Sequence, residues 1–389
     1  MRLQLFAYGF RTFFFAVGSS ALLLVPIWAA SFAFQWPLGT DWPPASWHGH
    51  EMLFGFVCAA IAGFLLTAVP SWTGRKGFGG APLVLLSAVW LLGRLAAGSS
   101  ASWPFAAVAV ADLAFLPLLA AFLAPPLIRE NNRNTPLLFV LLILWLCNAT
   151  FHLGLFRGDA LLARQALLAG IDVVLILVTV VGGRLLPSIT TSSLRQRGAK
   201  QVVRAARGTT AITVALMIAV AAVDLMHSGS AIAGWVALAA AVAQGARLAA
   251  WQGLRSLQDP LVWILHLAYA WLPLGLVLKA LALLTDLTVA AHWLHALTIG
   301  VIATMILGVM TRVALGHTGR PLRAHALTTL AYGLLAAAAL ARVFGAQLPW
   351  IGYPALIALS AALWTAAFGL FLMVYGPILL APRADGKPG

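Results

Sequence analysis

The chain is dominated by long apolar runs that carry very few charged residues. Several of these runs reach or exceed the roughly 20 residues that a helix needs to cross a bilayer. Inside lipid no water can bond the backbone, so only helices or a closed barrel can span it. The runs are too long for barrel strands and lack their alternation. With 62% hydrophobic and 9% charged residues, the sequence predicts an all-α polytopic membrane protein.

Polar and Pro/Gly-containing breaks divide the chain into about twelve predicted spans. We assign them to one transmembrane domain, residues 1–389, with spans near 11–35, 48–70, 82–98, 103–128, 136–157, 160–186, 208–226, 229–252, 259–284, 289–315, 324–343 and 348–381.

The basic residues predict the orientation of these spans, because cytoplasmic loops retain Lys and Arg. With the N-terminus inside, the inside segments hold most of the 24 basic residues, including the cluster at 184–207. Those left outside are Arg94, Arg157, Arg164, Lys279 and Arg342. An even span number then places both termini in the cytoplasm. The net charge of +14 is explained by this topology, so no nucleic-acid partner is predicted.

Histidines gather at the predicted outer ends of the spans. Six of the nine lie there: His48, His50, His152, His227, His292 and His295. Ionisable groups at membrane depth are costly and usually mark a site. Imidazole binds both haem iron and copper. The sequence therefore predicts an outward-facing haem or copper site.

Helical spacing restricts which of these side chains can cooperate. Residues three apart share a helix face, whereas residues two apart do not. His48 and Glu51 can therefore lie together, with the carboxylate orienting a ligating ring, and His292 and His295 share another face. The predicted metal ligands are His48, His50, Glu51, His292 and His295. The alternative is that these histidines are capping or interfacial residues bonded to loop carbonyls.

An internal repeat relates the two histidine segments at a constant offset of 245 residues. It aligns His50, Gly55, Ile61, Gly63, Thr73, Gly74 and Arg75 with His295, Gly300, Ile306, Gly308, Thr318, Gly319 and Arg320. Gly183–Leu186 is a fainter third copy in span six. The twelve spans are thus interpreted as three four-helix pseudo-repeats.

Other polar residues inside the spans have two possible roles each. Asp112 and Asp172 are candidates for a proton relay, or are neutral aspartates that lock helices together. Arg184 and Arg312 are candidates for haem-propionate or substrate binding, or are snorkelling and capping residues. His266 lies in the inner half of span nine, and its role is open, as is that of His152.

Four segments carry a family resemblance: His48–Phe56, Gly63–Gly74, Gly183–Pro187 and Met305–Pro321. They resemble the NnrS family, and the resemblance covers nearly the whole chain. It implies a bacterial inner-membrane protein of denitrification and the nitric oxide response, containing haem and copper.

The architecture also resembles that of haem-copper oxidases, in which histidines of spans two and ten hold haem. By that analogy His50 and His295 are axial haem ligands, with His48, Glu51 and His292 around them or at a copper site. This chain lacks the span-six copper histidine and the adjacent histidine pair of span seven. An oxidase-type binuclear centre is therefore in doubt.

Two functions follow from these observations. The first is a haem and copper protein that binds nitric oxide or relays electrons and counters nitrosative stress. The alternative is a transporter or metal-handling protein that moves haem, copper or a nitrogen oxide. The expected partners are nitric oxide or a related small molecule, the lipid bilayer and, for redox activity, a separate electron donor. Whether the chain is an enzyme stays open.

Overall fold

The computed structural model describes residues 4–198, 203, 207–348 and 350–387. Within them, twelve helices are long and apolar enough to cross a membrane. They are α1 Gly9–Phe34, α2 Pro44–Thr73, α3 Ala81–Gly98, α4 Phe105–Arg129, α5 Leu137–Arg157, α6 Ala160–Gln196, α7 Gly208–His227, α8 Ala231–Ala250, α9 Pro260–Leu284, α10 Thr288–His317, α11 Ala326–Gln347 and α12 Tyr353–Leu380. The predicted fold class and number of spans are confirmed.

The largest difference from the predicted spans is at the end of α6. The prediction ends this span at residue 186, whereas the helix continues through Pro187 to Gln196. Its polar last turns are packed, because the Thr190 hydroxyl lies 2.8 Å from His266 Nε2 and Ser193 donates to Asp259 at 2.7 Å. In the basic cluster predicted at 184–207, Lys200, Arg204 and the Arg207 side chain lie outside the described residues.

Two of the helices contain π-helical turns. In α2 these turns span Glu51–Val57, and in α10 they span Ala296–Ala303. Such turns are rare and often occur at functional sites. Each begins directly after a histidine that the offset of 245 aligns, His50 or His295, although the repeat itself stays a prediction.

The chain divides into two compact units. The first comprises residues 1–170, 313–321 and 368–389, and the second comprises 171–312 and 322–367. In the first unit α1 packs on α2, and α4 packs on α3 and α5. In the second unit α8 packs on α7 and α9, and α9 packs on the π-helical turns of α10.

A tight turn joins α5 to α6 within the first unit. Gly158 has a φ of +67°, a conformation that glycine adopts without strain. The next residue, Asp159, caps α6 by accepting the Leu162 N–H at 2.9 Å. A Cβ on Gly154 would lie 2.6 Å from the backbone nitrogen of Ala163, so these helices cross at a glycine.

We expect Gly154→Ala to destabilise the first unit, because the contacted atoms belong to backbone that cannot turn aside. Overpacking of this kind costs about 1–3 kcal/mol. Thermal unfolding of the detergent-purified variant, followed by tryptophan fluorescence, measures the loss. Gly333→Ala in α11 is the matched control, because its Cβ meets nothing within 4 Å. Equal melting temperatures for both variants would contradict the prediction.

Candidate metal centre

The centre is built on α2, where its α-helical first turns become π-helical. Pro43 and Pro44 start the helix, and His50 is its last α-helical residue before Glu51. The His50 Nδ1 atom lies 3.1 Å from Glu51 Oε1. In the neutral tautomer with its proton on Nδ1, facing Glu51, the ring has Nε2 available to bind a metal. Both side chains are fully buried.

Arg94 of α3 joins the two carboxylates of the centre. Its Nη1 donates to Glu51 Oε1 at 2.6 Å, and its Nη2 donates to Asp112 Oδ1. The guanidinium passes over Gly55, where an added Cβ would lie 3.1 Å from Nη1. One turn earlier, Trp90 donates to the Gly55 carbonyl at 3.1 Å. The π-helical turns of α2 are therefore held directly against α3.

Asp112 of α4 is the point on which the remaining polar groups converge. Its Oδ2 lies 3.0 Å from His50 Nε2 and 2.9 Å from His152 Nε2. Asn148, one turn before His152 on α5, donates its Nδ2 to the same oxygen at 2.7 Å. His50, Asp112 and His152 each offer one ligand atom, and these atoms lie within 4.8 Å of one another.

The charges of the buried cluster do not cancel without a further cation. Ionised Glu51 and Asp112 carry two negative charges, and Arg94 supplies one positive charge. An uncompensated charge in a buried site is costly. The remaining negative charge is balanced by a proton on His50 or by a metal ion beside its Nε2.

Aromatic rings enclose the two histidines. The Trp42 ring lies 5.0 Å from that of His50 and 5.5 Å from that of His152, and the Phe151 ring lies 4.8 Å from that of His50. Trp42 precedes α2 on a loop anchored to the turn after α3, because Ser100 bonds the side chains of Thr40 and Asp41. The loop thus covers the centre with a buried indole.

Of the predicted ligands, only His50 and Glu51 lie in this cluster. His48 stacks on Trp28, with ring centroids 4.1 Å apart. Glu51 lies against the adjacent His50, and the predicted role of His48 as a metal ligand stays a prediction.

The other predicted site residues belong to the second unit. His292 and His295 are half-buried, with ring centroids 6.4 Å apart. Arg312 is half-buried and Arg184 is exposed. Their predicted roles stay predictions.

Arg94 was not predicted as a site residue, because its charge was used only to assign the orientation of the spans. Asp112 and His152 were each noticed, but no sequence pattern paired them. A signal was nevertheless present. Arg94 and Asp112 are oppositely charged residues on consecutive spans, and both occur in otherwise apolar runs. Such groups are expected to find one another in a membrane.

A family model described as NnrS protein matches residues 4–383. The chain belongs to the NnrS family. No curated protein matches it. Membership of this family supports a role as a membrane protein of the nitric oxide response. It also suggests that the protein associates with a metal or haem.

The donor set of the cluster fits a copper ion. Imidazole nitrogens suit copper as they suit iron and zinc, and three protein ligands leave a position open, as in catalytic metal sites. The same residues do not fit a haem. His50 Nε2 already faces Asp112 and Asn148 at 3.0 and 3.1 Å, and Trp42 and Phe151 pack against the ring, which leaves no place for a porphyrin.

Proposed function

We propose that this NnrS-family protein binds one copper ion through His50, Asp112 and His152 and acts there on nitric oxide or a related nitrogen oxide. The observation that carries the proposal is the convergence of both Nε2 atoms on Asp112 Oδ2, at 3.0 and 2.9 Å in a buried site. When bound, copper supplies an open coordination position for a small ligand.

The surrounding residues hold the ligands in place and set their charge. Glu51 accepts from His50 Nδ1 and so keeps Nε2 available. Arg94 donates to Oδ1 of Asp112, so Oδ2 remains available to bind the metal. The indole of Trp42 limits water at the centre, while a molecule as small and apolar as nitric oxide can reach it through the lipid-facing helices.

The distribution of basic residues supports a location in the bacterial inner membrane with both termini in the cytoplasm. Under that orientation the buried centre lies toward the outer face, because His50 lies near the start of α2 and Arg94 and His152 lie near the ends of α3 and α5.

The test is the metal content of protein purified in detergent from copper-replete cells. We expect about one copper per chain in the unmodified protein. Asp112→Asn and His152→Gln should abolish binding, because each removes a ligand while keeping side-chain size and hydrogen-bonding capacity. The control is His227→Gln, which alters an exposed histidine at the end of α7 and should leave copper unchanged.

Electron paramagnetic resonance of the oxidised protein identifies nitrogen ligands to copper, and an optical spectrum of the same samples reports haem. Unmodified protein that stays free of copper after reconstitution overturns the proposal. Retention of copper by both ligand variants also overturns it. Haem lost with His295→Gln alone would assign a haem to His295 without His50, whereas the sequence predicted both histidines as its axial ligands.

A further inference from the structure

A buried arginine of the second unit has no acidic partner. Arg342 of α11 is 7% exposed, and none of the ion pairs among the described residues includes it. By contrast Lys279, a buried cation of α9, is paired with Asp224. A buried charge that is not compensated is costly, above all in a membrane span. The described part of the protein thus supplies no negative charge to Arg342.

The guanidinium of Arg342 also uses few of its donors. Its Nη2 donates to the hydroxyl of Tyr353, the first residue of α12, at 3.0 Å, and its Cζ lies 5.4 Å from the centroid of the same ring. Its Nη1 is buried and has no hydrogen-bond partner. Arg247, a second buried arginine without a carboxylate, donates to three neutral oxygen atoms instead. An unmatched buried donor is costly, and more so on a charged group.

The ring of Tyr353 also packs near a histidine of α10. The centroids of the Tyr353 and His292 rings lie 6.1 Å apart. His292 is half-buried, and its Nδ1 is a buried atom with no hydrogen-bond partner. In one neutral tautomer this nitrogen carries a proton and can donate it in a hydrogen bond. Two unmatched polar atoms, one of them on a cation, therefore belong to side chains beside the same tyrosine.

These side chains lie at an end of the second unit that is accessible from its surface. Helix α11 ends at Gln347, whereas α10 begins at Thr288 and α12 at Tyr353. Tyr353 itself is 43% exposed. A small ligand can therefore approach Arg342 from this end.

The fixed charge of Arg342 favours an anion over a metal cation at this position. A guanidinium is planar and offers N–H groups in a fixed fork, which matches anions that present two oxygens in one plane. A spherical anion such as chloride matches the charge but not this geometry. The residues are therefore suited to a small planar oxyanion.

We propose that Arg342, Tyr353 and His292 form a binding site for a small planar oxyanion of the nitrite or nitrate kind. Arg342 supplies the positive charge and the Nη1 donors, Tyr353 holds the guanidinium in place, and His292 supplies a further donor at Nδ1. All three residues belong to the second unit, so the proposal does not depend on copper binding in the first. Binding makes and breaks no covalent bond.

Isothermal titration calorimetry with sodium nitrite, on the detergent-purified full-length protein at constant ionic strength, tests this site. We expect saturable binding whose Kd rises about tenfold or more in Arg342→Met, because the charge-assisted donors are lost. The control is Arg323→Met, which alters an exposed arginine before α11 and should leave the Kd unchanged. Asp112→Asn, expected to lose copper, should keep this binding, which separates it from nitrite bound at the metal centre.

A second variant keeps the proposal testable if Arg342→Met does not fold. Arg342→Lys retains the charge but not the planar fork of donors, so nitrite should lose its advantage over chloride in competition. The proposal is overturned if nitrite does not bind, if Arg342→Met binds it as tightly as the unmodified protein, or if chloride competes equally in the unmodified protein. Copper content should be the same in both Arg342 variants, so failure here is distinct from failure of the metal centre.

Discussion

Replacement of Arg94 by Met should destabilise the protein by about 3–5 kcal/mol, the usual cost of removing one partner from a buried ion pair. Arg94 is the common partner of Glu51 and Asp112. Without it both carboxylates remain buried, and no other arginine or lysine pairs with them among the described residues. Met preserves most of the side-chain volume, so the loss reports charge rather than packing. Thermal or denaturant unfolding in detergent measures it.

A second substitution separates the charge effect from a general packing defect. Glu51→Gln removes one of the stranded negative charges, so the double variant Arg94→Met with Glu51→Gln should be more stable than Arg94→Met alone. Pairs in direct contact couple by about 0.5–3 kcal/mol. If the stability loss of the double variant equals the sum of the losses in the two single variants, the electrostatic explanation is wrong.

An exposed ion pair provides the matched control. Arg75 donates to Glu130 at 2.6 Å, but both side chains are 42% exposed. Exposed pairs contribute at most about 1 kcal/mol, so Arg75→Met should have a small effect. A loss comparable to that of Arg94→Met would show that burial of the Arg94 pair is not the cause.

The fold was predictable because the lipid imposes a strong and local requirement. Apolar runs of sufficient length become helices wherever they occur, and most of the predicted boundaries lie within a few residues of the observed ones. Helix α6 extends beyond the predicted span, to Gln196, although Thr190 and Ser193 look like loop residues in isolation. Their hydroxyls are bonded by residues more than sixty positions away.

The metal centre was only partly predictable for a related reason. His50 and Glu51 are adjacent, and their proximity can be read from the chain. Asp112 lies 62 positions beyond His50 and reaches it only through helix packing. Periodicity identifies a helix face but not the neighbour of that face, so Asp112 and Arg94 could be noticed without being paired.

The motif Gly183–Pro187 provides a second example. The sequence identified this segment as a motif but did not indicate which residue packs against it. Arg247 of α8 is 1% exposed and donates to the Thr179 carbonyl at 2.9 Å and to the Tyr269 hydroxyl at 3.1 Å. Its guanidinium also packs on Trp251, 5.2 Å from the ring centroid. The end of this side chain lies directly against Gly183 of α6. The glycine is thus explained by an arginine 64 positions later.

We therefore expect Gly183→Ala to cost at least about 2 kcal/mol, since the new methyl group displaces a buried guanidinium. Overpacking alone costs about 1–3 kcal/mol, and each lost hydrogen bond to a charged group about 1.5–3 kcal/mol. Unfolding in detergent measures the loss. The control, Gly369→Ala, places its Cβ 3.6 Å from Leu22, an ordinary contact, and should change stability by no more than about 1 kcal/mol.

Coupling between the two positions is the sharper part of this prediction. Arg247→Met shortens the side chain and removes the overlap, so Gly183→Ala should cost far less in an Arg247→Met background than in the unmodified protein. The expected coupling is about 0.5–3 kcal/mol. Additive losses would mean that Gly183 is needed for a reason other than Arg247. A rescued double variant would instead identify close approach to a buried positive charge as the reason that α6 carries a glycine at this position.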